Sequence, residues 1–308
     1  MKLLKLSATV VIVLLLAATI SGFLIPVSPP VLSIPGNLVG AYLDINDSKI
    51  RVFQSGSGPD VLLIHGLPGS IEDWDSIVPR LSEHFRVTTF DRSGHGFSEY
   101  RIESASLQGN ADMTLALIEK LQLKDVILVG HSYGGSIVAA IAARQPANVK
   151  GYVSIAGLIR SFKPTDPTYH LAEIPGLGRF IGKVGNQLFG NPMIEKGVKS
   201  AFEPNLDAIP EHYIEQRKQI WLQLKNALTT AREATGLPDE LEKLDVSQIR
   251  DPFTALYGDA DQNVDIRNAG LTQQQIPHAR VIILKDTGHF LQFARPDSVI
   301  DAIEDLSH

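Results

Sequence analysis

Residues 125–135 read Asp-Val-Ile-Leu-Val-Gly-His-Ser-Tyr-Gly-Gly and predict a strand, a sharp turn and a helix. The uncharged, β-branched run at residues 126–129 is typical of a strand that is buried on both faces. The Ala- and Ile-rich residues 136–143 favour a helix. Between the two, residues 130–134 match Gly-x-Ser-x-Gly, a turn that exposes a serine nucleophile. The same serine could instead only cap the helix, so the chemistry depends on what the rest of the chain supplies.

Short apolar runs alternate with helical segments on both sides of this turn. The runs predict strands at residues 41–45, 49–54, 61–64, 86–90, 149–155, 253–257 and 280–284. Strands that alternate with helices predict an α/β fold, with a mostly parallel sheet covered by helices on both faces. Residues 158–250 interrupt the alternation with Gly- and Pro-rich segments and two predicted helices, at 211–230 and 239–244. We therefore expect a helical cap inserted into the α/β core.

The composition of the 308-residue chain argues against several function classes. A net charge of −6, without a Lys- or Arg-rich run, is not typical of a protein that binds nucleic acid. The absence of cysteine excludes disulfides, thiolate metal sites and cysteine nucleophiles. We expect neither a metal nor an organic cofactor.

The N-terminal residues differ from the rest of the chain. Lys2 and Lys5 precede an uncharged stretch at residues 6–25, about the twenty residues that span a bilayer as a helix. Residues 1–25 predict either an uncleaved transmembrane anchor or a cleaved signal peptide, and their length favours the anchor. We expect a membrane-anchored protein with its catalytic domain on the non-cytoplasmic side, or a secreted or periplasmic protein after signal cleavage. A Pro-rich spacer at residues 26–40 would then lead to a core at 41–157 and 251–308, with the cap at 158–250.

A serine nucleophile needs a histidine base and a carboxylate that orients the base. His289 follows the last predicted strand, and Asp259 and Asp261 follow the strand before it. The loops after strands are where a rigid sheet presents catalytic side chains. The order serine, aspartate, histidine is the one expected for this type of turn.

The chain resembles the α/β-hydrolase superfamily from about Tyr42 to the C-terminus. Four blocks carry the resemblance: His65-Gly66-Leu67-Pro68-Gly69, Asp91-Arg92-Ser93-Gly94-His95-Gly96, Gly130-His131-Ser132-Tyr133-Gly134-Gly135 and Gly288-His289. The first two blocks are also similar to those of epoxide hydrolases and haloalkane dehalogenases. Those enzymes attack with an aspartate where this chain has Ser132, so we expect no alkyl-enzyme intermediate.

The resemblance implies a role for each site residue. Ser132 would be the nucleophile and His289 the base. The Gly-x-x-Asp pattern of the superfamily falls on Gly258 and Asp261, which favours Asp261 over Asp259 as the acid. The backbone N–H groups of Leu67 and Tyr133 would bind the oxyanion.

We expect a serine hydrolase that cleaves small or medium-sized apolar carboxylic esters through an acyl-enzyme intermediate. The same residues suit a carbon–carbon bond hydrolase, a cofactor-free haloperoxidase or perhydrolase, an acyltransferase, or a ligand-binding or signalling protein with slow turnover. Apolar cap residues could line the substrate pocket or only pack the cap onto the core: Leu177, Phe180, Ile181, Leu188, Phe189, Met193 and Phe202. We interpret Trp221 as a core residue, and His65, His95 and His131 as scaffold residues.

Overall fold

The computed structural model describes residues 2–27, 38–101 and 104–307. In these ranges eight strands form one sheet: β1 (Ala41–Ile45), β2 (Ser48–Ser55), β3 (Asp60–Ile64), β4 (Arg86–Phe90), β5 (Val126–His131), β6 (Val149–Ile155), β7 (Phe253–Gly258) and β8 (Arg280–Leu284). Their order is β1-β2-β4-β3-β5-β6-β7-β8. β1 and β2 form an antiparallel hairpin, and β2 is antiparallel to β4. All other neighbours are parallel.

Helices cover both faces of the sheet. Along β3, Leu62 and Ile64 belong to one apolar cluster and Val61 and Leu63 to another, because successive side chains of a strand point to opposite faces. The first cluster includes residues of α3 (Leu107–Lys120), α4 (Tyr133–Ala142) and α9 (Arg267–Gln275). The second includes residues of α2 (Val78–Leu81), α10 (Leu291–Ala294) and α11 (Pro296–Glu304). The predicted α/β fold is confirmed.

The predicted helical cap is also confirmed, with different helix bounds. Between β6 and β7 the chain forms α5 (Pro167–Ala172), α6 (Leu177–Phe202), α7 (Tyr213–Trp221) and α8 (Leu224–Glu242). The single helix predicted at 211–230 is divided between α7 and α8. α6 is continuous through Gly190 and Pro192, where the sequence favours a break. A Cβ atom at Gly190 would overlap the Leu222 side chain, so the glycine allows α6 to approach the turn between α7 and α8.

The structure contradicts the predicted membrane anchor. The first helix, α1, runs from Lys2 to Phe23, yet within the described ranges no helix has the length and apolarity to span a membrane. Its C-terminal end packs on the cap instead: a Cβ atom at Gly22 would overlap the carbonyl of Gly176, and one at Gly176 would overlap that of Thr19. The anchor prediction was wrong because the composition of residues 1–25 does not reveal this contact with the cap. The localisation that was inferred from the anchor is contradicted too. Much of the predicted spacer, residues 28–37, lies outside the described residues.

Candidate active site

Ser132 lies on a sharp turn between β5 and α4. Its backbone has φ 55° and ψ −120°, a conformation that side-chain-bearing residues rarely adopt and that is typical of functional sites. Its N–H donates to the Ile155 carbonyl at 2.8 Å. The flanking glycines make the turn possible, because a Cβ atom at Gly134 would overlap the Ile64 carbonyl and one at Gly130 would overlap Gly134 itself. The turn thus places Ser132 just beyond the end of β5, outside the sheet.

His289 and Asp261 form a buried hydrogen-bonded pair. His289 Nδ1 lies 2.7 Å from Asp261 Oδ2, and both side chains are almost fully buried. The other carboxylate oxygen accepts from the backbone N–H groups of Asn263 and Val264. Burial would raise the pKa of Asp261, but His289 and these N–H groups outweigh it and lower the pKa, so the carboxylate is charged at neutral pH. Asp259, the alternative acid, lies at the surface.

His131 lies directly beneath the pair. Its ring centroid is 4.7 Å from that of His289, and its Nε2 is 3.0 Å from the His289 carbonyl oxygen. Burial and the neighbouring His289 lower the pKa of His131 to about 3, so it is neutral and Nε2 carries the donated proton. His131 therefore holds the backbone of His289 in place through this hydrogen bond.

The loop after β3 runs beside the nucleophile. A Cβ atom at Gly66 would lie 3.1 Å from Ser132 Cβ, a tight contact, so a glycine at this position eases the close approach of the loop to Ser132. Leu67, the predicted oxyanion residue, comes next in the chain and lines the same cavity as Ser132 and His289. Tyr133, the other predicted oxyanion residue, begins α4 directly after Ser132.

This cavity has a volume of about 320 Å³ and lies between core and cap. The cap wall includes Tyr169 of α5, Val198 of α6 and Trp221 of α7. Among the described residues, none that lines the cavity is Lys or Arg. A cavity between core and cap that is lined by apolar side chains and a few polar groups is typical of a small-molecule site.

For the seven apolar cap residues, the sequence left open whether they line the pocket or pack the cap onto the core. None of the seven lines the cavity. Leu188, Phe189 and Met193 are exposed, and Phe202 stacks on Phe290 in a buried aromatic cluster. Trp221, predicted to be core, packs against this cluster and also lines the cavity. A repeat of apolar residues along a helix does not indicate which face meets the cavity.

Sequence reasoning missed a contact between the end of α6 and the His289 loop. The N–H of His289 donates to the Ala201 carbonyl at 2.9 Å. Asn205 accepts from Gly288 N–H at 2.9 Å and donates to the Asp286 carbonyl at 3.0 Å. We call Ala201 and Asn205 the histidine clamp. Its partners are more than eighty residues apart in sequence, so no local pattern could have revealed it.

Comparison with known proteins agrees with this fold. A family model described as "Alpha/beta hydrolase family" matches residues 61–302. The chain is 26% identical over 263 residues to (E)-2-((N-methylformamido)methylene)succinate hydrolase of Acinetobacter baylyi, which covers 84% of this chain and 94% of that protein. It is 25% identical over 285 residues to 2-hydroxy-6-oxo-2,4-heptadienoate hydrolase of Pseudomonas putida, which covers 87% and 96%. The crystal structure of the enol-lactonase from Burkholderia xenovorans matches with a TM-score of 0.72 at 20% identity, over 87% of this chain and 99% of that one, and indicates a shared fold.

Proposed function

This chain belongs to the alpha/beta hydrolase family, and we propose that it is a serine hydrolase that acts on small uncharged carbonyl compounds through an acyl-enzyme intermediate. The observation that carries the proposal is the 2.7 Å pair of His289 and Asp261, with His289 and Ser132 in the wall of one cavity. These are the three groups that an activated serine needs.

Each residue has a defined role in the proposed reaction. Ser132 Oγ attacks the substrate carbonyl carbon while His289 accepts its proton, and Asp261 holds the imidazole and stabilises its positive charge. The backbone N–H groups of Leu67 and Tyr133 donate to the oxyanion that forms. His289 then protonates the leaving group, and a water molecule that His289 activates releases the acyl group from Ser132.

The cavity supports an uncharged substrate. A carboxylate bound next to Ser132 would have to give up its hydration, and such a loss is normally offset by a paired cation. The lining residues include no Lys or Arg, whereas the cap wall offers apolar and aromatic side chains. Neutral esters, lactones and diketones carry no charge that would need a paired cation in the cavity.

The bond that is cleaved separates two candidates. The compound in the name of the Pseudomonas putida relative contains no ester, so its hydrolysis must break a carbon–carbon bond. Together with the enol-lactonase match, such names support cleavage of a carbon–carbon bond or a lactone better than cleavage of a plain carboxylic ester. Hydrolysis of a carbon–carbon bond in a diketone is therefore the second candidate, beside hydrolysis of an ester or lactone.

A fluorophosphonate label and a substrate panel would test this function. The label should modify Ser132 of the wild type, and Ser132→Ala should lose both the label and roughly four to six orders of magnitude in kcat. The panel pairs neutral esters, lactones and diketones with analogues that carry one added carboxylate. We expect kcat/KM to favour the neutral member of each pair. Equal labelling of wild type and Ser132→Ala would contradict the proposed nucleophile, and a preference for the anionic analogues would contradict the substrate class.

A further inference from the structure

The carbonyl oxygen of Gly66 accepts hydrogen bonds from two side chains. Arg92 Nη2 lies 2.9 Å from this oxygen, and His65 Nδ1 lies at the same distance. His65 Nε2 accepts from the Arg92 backbone N–H, which places the proton of this buried imidazole on Nδ1. The C=O and N–H of a trans peptide point in opposite directions. Anchoring Gly66 O therefore fixes the direction of the Leu67 N–H, the first proposed oxyanion donor.

Arg92 also contacts the second half of the proposed oxyanion hole. Its guanidinium carbon lies 4.8 Å from the centroid of the Tyr133 ring, within the range of a cation–π interaction. Tyr133 supplies the other proposed N–H donor. One buried guanidinium thus contacts the Gly66 carbonyl, which shares a peptide group with one proposed donor, and the side chain of Tyr133, which supplies the other.

A cap residue holds this guanidinium. Glu233 of α8 lies with its Oε1 2.5 Å from Arg92 Nη1 and 2.6 Å from Asn110 Nδ2. Its Oε2 lies 2.9 Å from His95 Nε2. Arg92 and Glu233 are both fully buried. Burial alone would raise the pKa of Glu233, but Arg92 and His95 together lower it to about 2, so the carboxylate is charged.

We propose that Arg92 is a positioning residue for the oxyanion hole and that Glu233 of the cap keeps it there, so that correct packing of α8 preorganises the two N–H donors. This inference rests on the proposed serine hydrolase function. It gives a role to the block Asp91-Arg92-Ser93-Gly94-His95-Gly96. Through Arg92, this block connects the cap to the loop after β3, which carries Leu67. Arg92 and Glu233 act through the backbone and do not touch the substrate.

A buried ion pair could also serve stability alone, so the test separates the two roles. Removing one partner leaves an uncompensated charge, whereas replacing both with apolar residues of similar size is often tolerated. The informative protein is therefore the double variant Arg92→Met/Glu233→Met, compared with Glu233→Gln. Glu240→Gln is the matched control: Glu240 lies two turns further along α8 and accepts from the Leu107 N–H of the core.

A trifluoromethyl ketone probes the oxyanion hole directly. Ser132 Oγ adds to its carbonyl carbon, the C=O electron pair moves to the oxygen, and the serine proton passes to His289. For the double variant we expect the inhibition constant to rise and kcat to fall, each by about 10- to 100-fold, because a misplaced donor loses much of its effect on the oxyanion. KM should stay within about threefold and the melting temperature near that of the wild type. Glu233→Gln should show a change of about tenfold in the same direction, and Glu240→Gln no change.

Two results would overturn the proposal: a double variant that melts like the wild type and keeps its kcat and inhibition constant, or a Glu240→Gln loss as large as that of the double variant. Failure of the proposed function has a different signature. The wild-type protein itself would then resist both the ketone and fluorophosphonate labelling.

Discussion

The core and the cap contribute to the site in different ways. Ser132, Asp261 and His289 each follow a strand of one rigid sheet. The cap reaches the loop of His289 through the histidine clamp, and it reaches Arg92, on the loop after β4, through Glu233. The sheet thus presents the three residues that we propose to react, and the cap contacts the His289 loop and the residue proposed to position the oxyanion hole. A cap of this kind influences the chemistry as well as the shape of the pocket.

The two cap contacts also differ in their physics. The histidine clamp consists of hydrogen bonds between neutral groups, whereas the contact at Glu233 contains a fully buried ion pair. Neutral hydrogen bonds that can be replaced by water contribute little net stability, while an unpaired buried charge is strongly unfavourable. Of these three places, we therefore expect substitutions to affect activity most in the core, less at Glu233 and least at the clamp.

After Ser132→Ala, the largest expected loss of activity comes from replacing Asp261, the proposed orienting acid of the core. Asp261→Asn should lower kcat by on the order of 10⁴, because an amide can stabilise the wrong tautomer of His289 and cannot stabilise its positive charge. Steady-state rates on a neutral ester would measure this loss. Asp259→Asn is the matched control, since Asp259 is at the surface of the same loop, and it should change kcat less than twofold. A larger loss for Asp259→Asn than for Asp261→Asn would contradict the assignment of the acid.

The same contrast explains how much could be predicted from the sequence. The core strands are short apolar runs, and each proposed catalytic residue follows one within a few positions, so local pattern and motif order locate all three. The cap contacts depend on pairs far apart in sequence: 141 residues separate Arg92 from Glu233, and 83 separate Asn205 from Gly288. No periodicity links such pairs, because they meet only once α6 and α8 have packed on the core. The contact of Gly22 with Gly176 was missed for the same reason.

Breaking the histidine clamp should have a modest effect. Asn205→Ala removes the acceptor for Gly288 N–H and the donor to the Asp286 carbonyl. With the His289–Asp261 pair intact, we expect kcat to fall about three- to tenfold, in line with the net value of one or two neutral hydrogen bonds. Asn205→Asp keeps the acceptor and should retain more activity than Asn205→Ala.

Asn186→Ala is the control for the clamp, since Asn186 donates to the Leu222 carbonyl within the cap and does not reach the His289 loop. An equal loss of activity in Asn186→Ala and Asn205→Ala would show that general loosening of the cap, and not the clamp, controls the rate.

The smallest effect on activity is expected at Lys225, a second buried charge of α8. In contrast to Glu233, Lys225 donates to a neutral group, the Ser98 carbonyl, at 2.5 Å. Burial lowers the pKa of Lys225 to about 8, with Arg51 acting in the same direction and Asp91 opposing it. Between about pH 8 and the ordinary lysine pKa of about 10.5, the unfolded chain keeps this proton and the folded chain has lost it. Raising the pH across this window should therefore stabilise the fold.

Lys225→Met should remove that dependence and change kcat at pH 7 less than twofold. Urea unfolding from pH 7.5 to 10.5 measures the difference between the two proteins. The free energy of unfolding of the wild type should rise relative to the variant by about 1.4 kcal/mol per pH unit at most, the slope for a single proton. Because the free energy of unfolding of the variant is subtracted from that of the wild type, groups that titrate equally in both proteins do not contribute to the difference. Parallel curves would show that Lys225 keeps its ordinary pKa in the folded protein. The contrast with the paired charge of Glu233 would then disappear.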